Sequence, residues 1–224
     1  MSKSKSAPLL SPEKYLRTRA RTLPLGMCYI NECWKSTGMA FIIVTRKHVN
    51  GNLTFGVFQV DLHCLGVKDA FWHFNVSSLD VDEIIKTQSE KMNGEDPLVD
   101  VEYELVHNII YGAIEYAEEL GFTPHKDFNL VKNILEEDDE HIDLVEIEFG
   151  LNGKPAIYPG KEHHPKNIIA QLERSVGPGN FYIISPDEEI PEYDEDMNTN
   201  FFDPQEDEFE SEYDDEDIQT KQES

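Results

Sequence analysis

Apolar and polar positions along the chain follow two rhythms, one of period two and one of period about 3.6, and their order predicts a mixed fold. The strand rhythm comes first. Residues 27–30 read as a short strand, and Lys35-Ser36-Thr37-Gly38 as a turn. In the strand predicted over residues 39–47, Phe41, Ile42, Ile43 and Val44 form a run too apolar for a surface wet on one side. Asn50-Gly51 is a strong hairpin signal, and residues 53–62 supply the return strand. Phe55 and Val57 share one face of that strand, while Gly56, Phe58 and Val60 share the other, so it is expected to be central and covered on both sides. Residues 70–76 read as a further strand.

The helical rhythm then takes over. Ser77 or Ser78 caps a helix over about residues 79–91, and Asn93-Gly94 and Pro97 break it. From about residue 99 to 120, apolar residues recur at Val99, Tyr103, Val106, Ile110, Ala113, Ile114, Ala117 and Leu120, the spacing of one helix face. Gly121 stands where a left-handed C-terminal cap belongs. A helix over 126–135 and an acidic loop over 136–140 follow. Leu144, Glu146 and Glu148 alternate with Val145, Ile147 and Phe149, which predicts a half-wet strand turned by Asn152-Gly153 into a partner over 154–158. Pro165 opens an amphipathic helix through Arg174, Gly177-Pro178-Gly179 breaks the chain, and residues 181–184 read as the last strand. The fold class is α+β: a single domain over 25–186 with two β-hairpins, a long central helix and shorter flanking helices.

Charge changes this picture at both ends. The net charge is −26, but residues 187–224 hold 18 acids against one lysine, and residues 1–47 hold nine cations against two acids. Residues 1–24 therefore read as a basic arm with a short helix opened by Ser11-Pro12-Glu13, and residues 187–224 as a disordered acidic tail. Tyr193, Phe201, Phe202, Phe209 and Tyr213 are interleaved with the tail's acids, a composition suited to a docking peptide for a basic protein partner. Arg17, Arg19 and Arg21 of the arm are a second possible target for the tail. An acidic body repels phosphates unless one face is locally basic, so nucleic acid binding stays open. No apolar run approaches the roughly 18 residues of a membrane span, and no apolar stretch of secretory type follows the basic start. Cys28, Cys33 and Cys64 show no disulfide framework, which fits a reduced, cytoplasmic compartment.

Candidate chemistry gathers in two stretches, residues 58–69 and 121–128. The candidate catalytic residues are Asp61, Cys64, Lys68 and Asp69 in the first and His125 and Asp127 in the second. Carboxylates in such a set can hold a magnesium ion for phosphodiester hydrolysis, although Lys68 and Asp69 can simply pair and Asp127 can cap a helix. As a nucleophile Cys64 needs a base; His63 points to the opposite face of an extended segment, leaving His107 or His125. A lone cysteine in such a domain is more often a packing residue. Cys28, Cys33 and Cys64 with a histidine would suffice for zinc, but the spacing is loose and their sulfurs are not expected to converge. No cofactor and no metal are assigned. If the long helix runs parallel to the strand over 53–62, the two stretches share one edge of the domain. Two readings follow: a binding or regulatory domain whose acidic tail engages a basic partner, or a hydrolase centred on Asp61–Asp69 and His125–Asp127.

Three groups of residues resemble the motifs of a widespread bacterial family with no assigned function. Val60, Asp61, Leu62, Cys64, Leu65, Gly66, Val67, Lys68 and Asp69 fit V-D-L-x-C-L-G-V-K-D. Ile110, Tyr111, Gly112, Ala113, Tyr116, Ala117, Gly121, Phe122, Pro124, His125, Asp127 and Phe128 fit I-Y-G-A-x-x-Y-A-x-x-x-G-F-x-P-H-x-D-F, and Gly153, Lys154, Pro155 and Tyr158 form the third group. The resemblance spans about residues 25–185 and implies no activity. A cysteine-rich zinc motif found in some similar proteins has no counterpart here beyond residue 64, and the acidic tail is an addition.

Overall fold

The hairpin closed by Asn50-Gly51 lies at the centre of the computed structural model, which describes residues 10–91, 96–139, 141–162 and 164–184. These all belong to one unit, residues 1–186, and the predicted acidic tail lies outside them. In chain order the elements are α1 (Pro12–Arg19), β1 (Leu25–Asn31), α2 (Trp34–Thr37), β2 (Met39–Lys47), β3 (Leu53–Asp61), β4 (Gly66–Val76), α3 (Ser78–Lys91), β5 (Leu98–Val101), α4 (Tyr103–Glu119), α5 (Phe128–Val131), β6 (Ala156–Ile157), α6 (Pro165–Ser175) and β7 (Tyr182–Ile183).

Five strands form one antiparallel sheet in the order β4-β3-β2-β1-β5. The His48 N–H donates to Asn52 O at 2.8 Å across the β2–β3 turn, and Gly51 there takes a left-handed φ of 88°. The alternation of β2 then divides the core between two faces. Ile42 and Val44, with Phe58 and Val60 of β3, pack against Val106, Ile109, Ile110 and Ala113 of α4, Leu16 of α1 and Val131 of α5. Phe41 and Ile43, with Phe55 and Val57, meet Val81 of α3 on the other face. The central strands are thus covered on both sides, as their apolar runs predict. Arg46, 1% exposed, fastens one face: its Nε donates to Ile134 O at 2.7 Å, its Nη1 to Leu23 O at 2.9 Å, and its Nη2 reaches Glu136 Oε1 at 2.9 Å.

The predicted elements need correction in three places. The long helix begins at Tyr103, not near residue 99, because Leu98–Val101 forms an edge strand paired to β1. Two β-branched residues, Val99 and Val101, serve an open sheet edge better than a helix start. The half-wet strand over 144–149 does not form. Instead Asn108 of α4 holds the segment, donating to Asp143 O at 3.0 Å and accepting from Val145 N at 3.3 Å, while Leu144 is 94% exposed. The predicted 144–158 hairpin is reduced to its turn, a Leu151–Lys154 bridge, and Ala156–Ile157 pairs in parallel with β7. A hairpin does occur earlier. β4 starts at Gly66, not at residue 70, so β3 and β4 are joined by the four-residue turn 62–65.

Candidate functional site

That turn carries the first candidate stretch, and its bonding explains most of its polar residues. Asp61, at the end of β3, is 5% exposed, and its Oδ1 accepts from the N–H of His63 at 2.7 Å and of Cys64 at 3.1 Å. A carboxylate accepting backbone donors two and three residues on is a turn-forming group. The turn is clamped from three sides: Leu62 N donates to Gly38 O at 2.8 Å, Gly150 N to Leu62 O at 2.8 Å, and Ala156 N to His63 O at 3.2 Å. Gly38 must be glycine, since its φ is 69° and a Cβ there falls 2.2 Å from the His63 ring.

Cys64 is fully buried among Leu120, Ile157 and Leu172, where α6 covers the turn. Burial first, then the charges of Asp61 and Glu162, push its thiol far above the ordinary cysteine range, with Lys68 opposing. A nucleophile needs the thiolate, and this environment disfavours it. His63, 6% exposed, stacks on Tyr158 with ring centroids 5.7 Å apart. Burial lowers its pKa against the opposing pull of Asp61. Lys68 makes an ion pair of 2.5 Å with Glu162, whose side chain is 12% exposed. His63, Tyr158 and Glu162 are thus neighbours of the candidate set that the sequence reading did not select. Glu162 lies 94 residues from Lys68, and no spacing signal links them.

The second stretch meets the first at the start of β4. Gly66 lies against α4 so closely that a Cβ would stand 2.9 Å from Ala113 O and from Ala117 Cβ. This places the C-terminal half of α4 at the end of β3, the parallel arrangement. Beyond α4 the chain returns, and His125 N donates to Val67 O at 2.9 Å. The His125 Nδ1 sits 3.6 Å from Asp69 Oδ1 and 3.6 Å from Asp127 Oδ2, with the imidazole 34% exposed. Asp69 also accepts the N–H of Ala70 at 2.8 Å. Asp127 occupies the N-cap position of α5 without a side-chain cap bond.

The six candidates therefore separate. Asp61 folds the turn, Cys64 is packing, Lys68 is engaged by Glu162, and Asp69, His125 and Asp127 form a partly exposed trio. Lys68 is the extra residue of a β-bulge, inserted between the Val60–Val67 and Gln59–Asp69 pairs, and it turns to Glu162 while Asp69 lies beside His125. A cleft of about 820 Å³ opens between α4 and the segment 123–133, and Arg21, Lys126, Lys132, Tyr111, Phe128, Glu118, Glu137 and Asp138 are among its lining, with Arg21 paired to Glu137. None of the six candidates lines it. None of the three cysteines forms a disulfide; Cys28 belongs to the apolar core under α4, a different cluster from that of Cys64, and burial lifts its thiol to about 11. Among the described residues no group of three or more His, Cys, Asp or Glu side chains is placed to hold a metal ion. No described helix is long and apolar enough to cross a membrane.

Fold and site together define an α+β domain built on a five-stranded antiparallel sheet with helices on both faces. No protein-family model, no curated protein and no solved structure matches the chain.

Proposed function

We propose that the chain is a bacterial, cytoplasmic binding or regulatory domain, of the family its motifs resemble, whose acidic tail over residues 187–224 engages a basic partner. The observation that carries this reading over catalysis is the division of the six candidates: three of them, Asp61, Cys64 and Lys68, are taken up by turn formation, packing and an ion pair. Catalysis needs its groups converged on one reacting atom. The charge layout supplies the rest, since 18 acids in the tail form an electrostatic surface for a cationic partner. A labelled oligolysine should bind the full chain and lose at least about tenfold in affinity when the tail is removed. Equal affinity with and without the tail contradicts the reading.

One observation favours hydrolysis as a second reading: the His125 Nδ1 is buried with no hydrogen-bond partner and has two carboxylate oxygens at 3.6 Å each, close enough to orient the imidazole by charge though beyond hydrogen-bond reach. If the imidazole acts as a base, the full chain cleaves an activated phosphodiester and both His125→Ala and Asp69→Ala abolish the cleavage without unfolding the chain. Cleavage that survives both substitutions rules this site out.

A further inference from the structure

The sheet has two edges, and they end differently. β5 is four residues long and carries Asp100, with Glu102 just after it. β4, at the other edge, is eleven residues long and has no acid, lysine, arginine or proline over Ala70-Phe71-Trp72-His73-Phe74. Burial lowers the His73 pKa, so this stretch is uncharged at neutral pH. Proteins blunt their edges with charges, prolines and bulges. Here the bulge at Lys68 and the left-handed Asn75 (φ 53°) stand on either side of the stretch and leave it plain.

The hydrogen-bond ladder tells which groups of β4 face outward. At the two ends of the β2–β3 pairing, His48 N–H bonds to Asn52 O and Leu62 N–H to Gly38 O. Even-numbered residues of β3 therefore exchange bonds with β2, and odd-numbered ones with β4. Phe71 and His73, opposite Val57 and Phe55, bond inward. Ala70, Trp72 and Phe74 direct their backbone groups away from the sheet. The Ala70 N–H agrees with this parity, since it bonds to the Asp69 side chain at 2.8 Å and not to β3. Upstream the edge is closed, because Val67 O accepts from His125 N. Among the described residues no backbone group closes it at Trp72.

An extended strand satisfies such an edge, and the residues of this stretch suit a second copy of themselves. Two copies set antiparallel about a two-fold axis through Trp72 bring Ala70 opposite Phe74 and Phe71 opposite His73. Small meets large on the face shared with α1, where Phe74 packs on Tyr15 with ring centroids 5.0 Å apart. On the other face ring meets ring, a favourable cross-strand pair. The N–H and C=O of Trp72 bond reciprocally across the axis, and Ala70 O accepts from Phe74 N–H. Like charges are not opposed. Asp69, the nearest acid in β4, is three residues from the axis, so its two copies stand about 20 Å apart, beyond the screening length of about 8–10 Å. Most of the net charge of −26 belongs to residues 187–224, with 18 acids against one lysine.

We propose that β4 is a dimerisation edge, at which two copies of this chain pair antiparallel over residues 70–74 into one continuous sheet. The inference goes beyond the basic-partner reading and does not depend on what the tail binds. The contact is short, below the roughly 1,200 Å² of stable interfaces, so its dissociation constant is on the order of 100 μM.

The test uses the full chain at about 0.15 M salt, with the mass followed by sedimentation from roughly 10 μM to 1 mM. Trp72→Glu and Trp72→Lys each set like charges face to face across the axis. Trp72 is half-buried at the sheet edge, from which either long side chain reaches water. Expected are reversible dimers of the parent and association at least about tenfold weaker for each variant alone. Mixing the two variants restores association, because Glu then faces Lys, whereas a merely structural loss is not rescued by mixing. Amide exchange on the parent needs no variant and decides the matter if a variant fails to fold. Exchange at Trp72 and Phe74 slows at least about threefold as concentration rises over this range. A parent that stays monomeric to about 1 mM overturns the proposal. So does a dimer that leaves exchange at Trp72 unchanged, a dimer that both variants form as readily as the parent, or folded variants that do not recover on mixing.

Discussion

Cys64 shows how far a residue's chemistry depends on what surrounds it. In the sequence it stands between His63 and Lys68 and reads as reactive; in the fold it has no exposed surface and its thiol is held protonated by burial and by Asp61 and Glu162. In the native chain Cys64 should therefore resist alkylation at neutral pH and react only on unfolding. Mass spectrometry of the alkylated protein checks this, and rapid labelling of Cys64 under native conditions contradicts it. His107 carries a second consequence at this scale. It is 2% exposed between Tyr103 and Tyr111, and its Nε2 has no hydrogen-bond partner. Burial lowers its pKa below 6.5, with Asp138 opposing, and His48, His63 and His73 are lowered in the same sense. The unfolded chain then binds protons that the folded chain refuses. The stability contributed by the neutral imidazole is complete above the unfolded pKa of 6.5 and declines as pH falls toward the depressed folded value. The melting temperature should fall as pH drops below about 6.5, and His107→Leu should flatten part of that slope. A variant whose pH profile parallels the parent's shows that His107 is not among the groups responsible.

At the scale of elements, the meeting of β4 with α4 positions everything the candidate site contains, and Gly66 sets its closeness. Gly66 and Gly153 share a left-handed φ, 67° and 74°, but a Cβ at Gly66 meets α4 at 2.9 Å while one at Gly153 meets nothing within 4 Å. Gly153→Ala should cost about 1 kcal/mol of conformational strain, and Gly66→Ala about 3 kcal/mol, strain and overpacking together. Denaturant unfolding of the two variants decides it; equal costs contradict the close approach. This contact also shows why sequence reading goes only part of the way. The β2–β3 hairpin was legible because Asn50-Gly51 and the apolar runs are local signals, and so was the amphipathic body of α4. The start of β4 was hidden because Gly66, Lys68 and Asp69 give no alternation, and β5 was hidden because Val99 also fits the phase of the helix that follows. The segment 144–149 does alternate, yet its partner is the side chain of Asn108, not a strand, and period two cannot tell those apart. Within the site, the approach of residues 121–128 to residues 61–69 depended on the direction of α4 relative to β3, which the sequence left as an alternative. The Lys68–Glu162 pair and the stacking of His63 on Tyr158 depend on how the 150–162 segment folds over the turn, which no local pattern encodes.

For the molecule as a whole, the separation of charge is the property that the proposed function uses. The folded unit presents a partly exposed trio at His125, and the chain continues into residues 187–224 with 18 acids. A cationic partner held by such a tail is held through screened, long-range attraction, so its affinity must fall steeply with salt. The most direct measurement is the affinity of a labelled oligolysine for the full chain and for a full-length variant with the tail's Asp and Glu replaced by Asn and Gln, followed from low to high salt. The account predicts tight binding to the parent at low salt, a steep decline as salt rises, and at least about tenfold weaker binding to the neutralised variant throughout the low-salt range. Parent and variant binding the oligolysine equally, with the same dependence on salt, would contradict it.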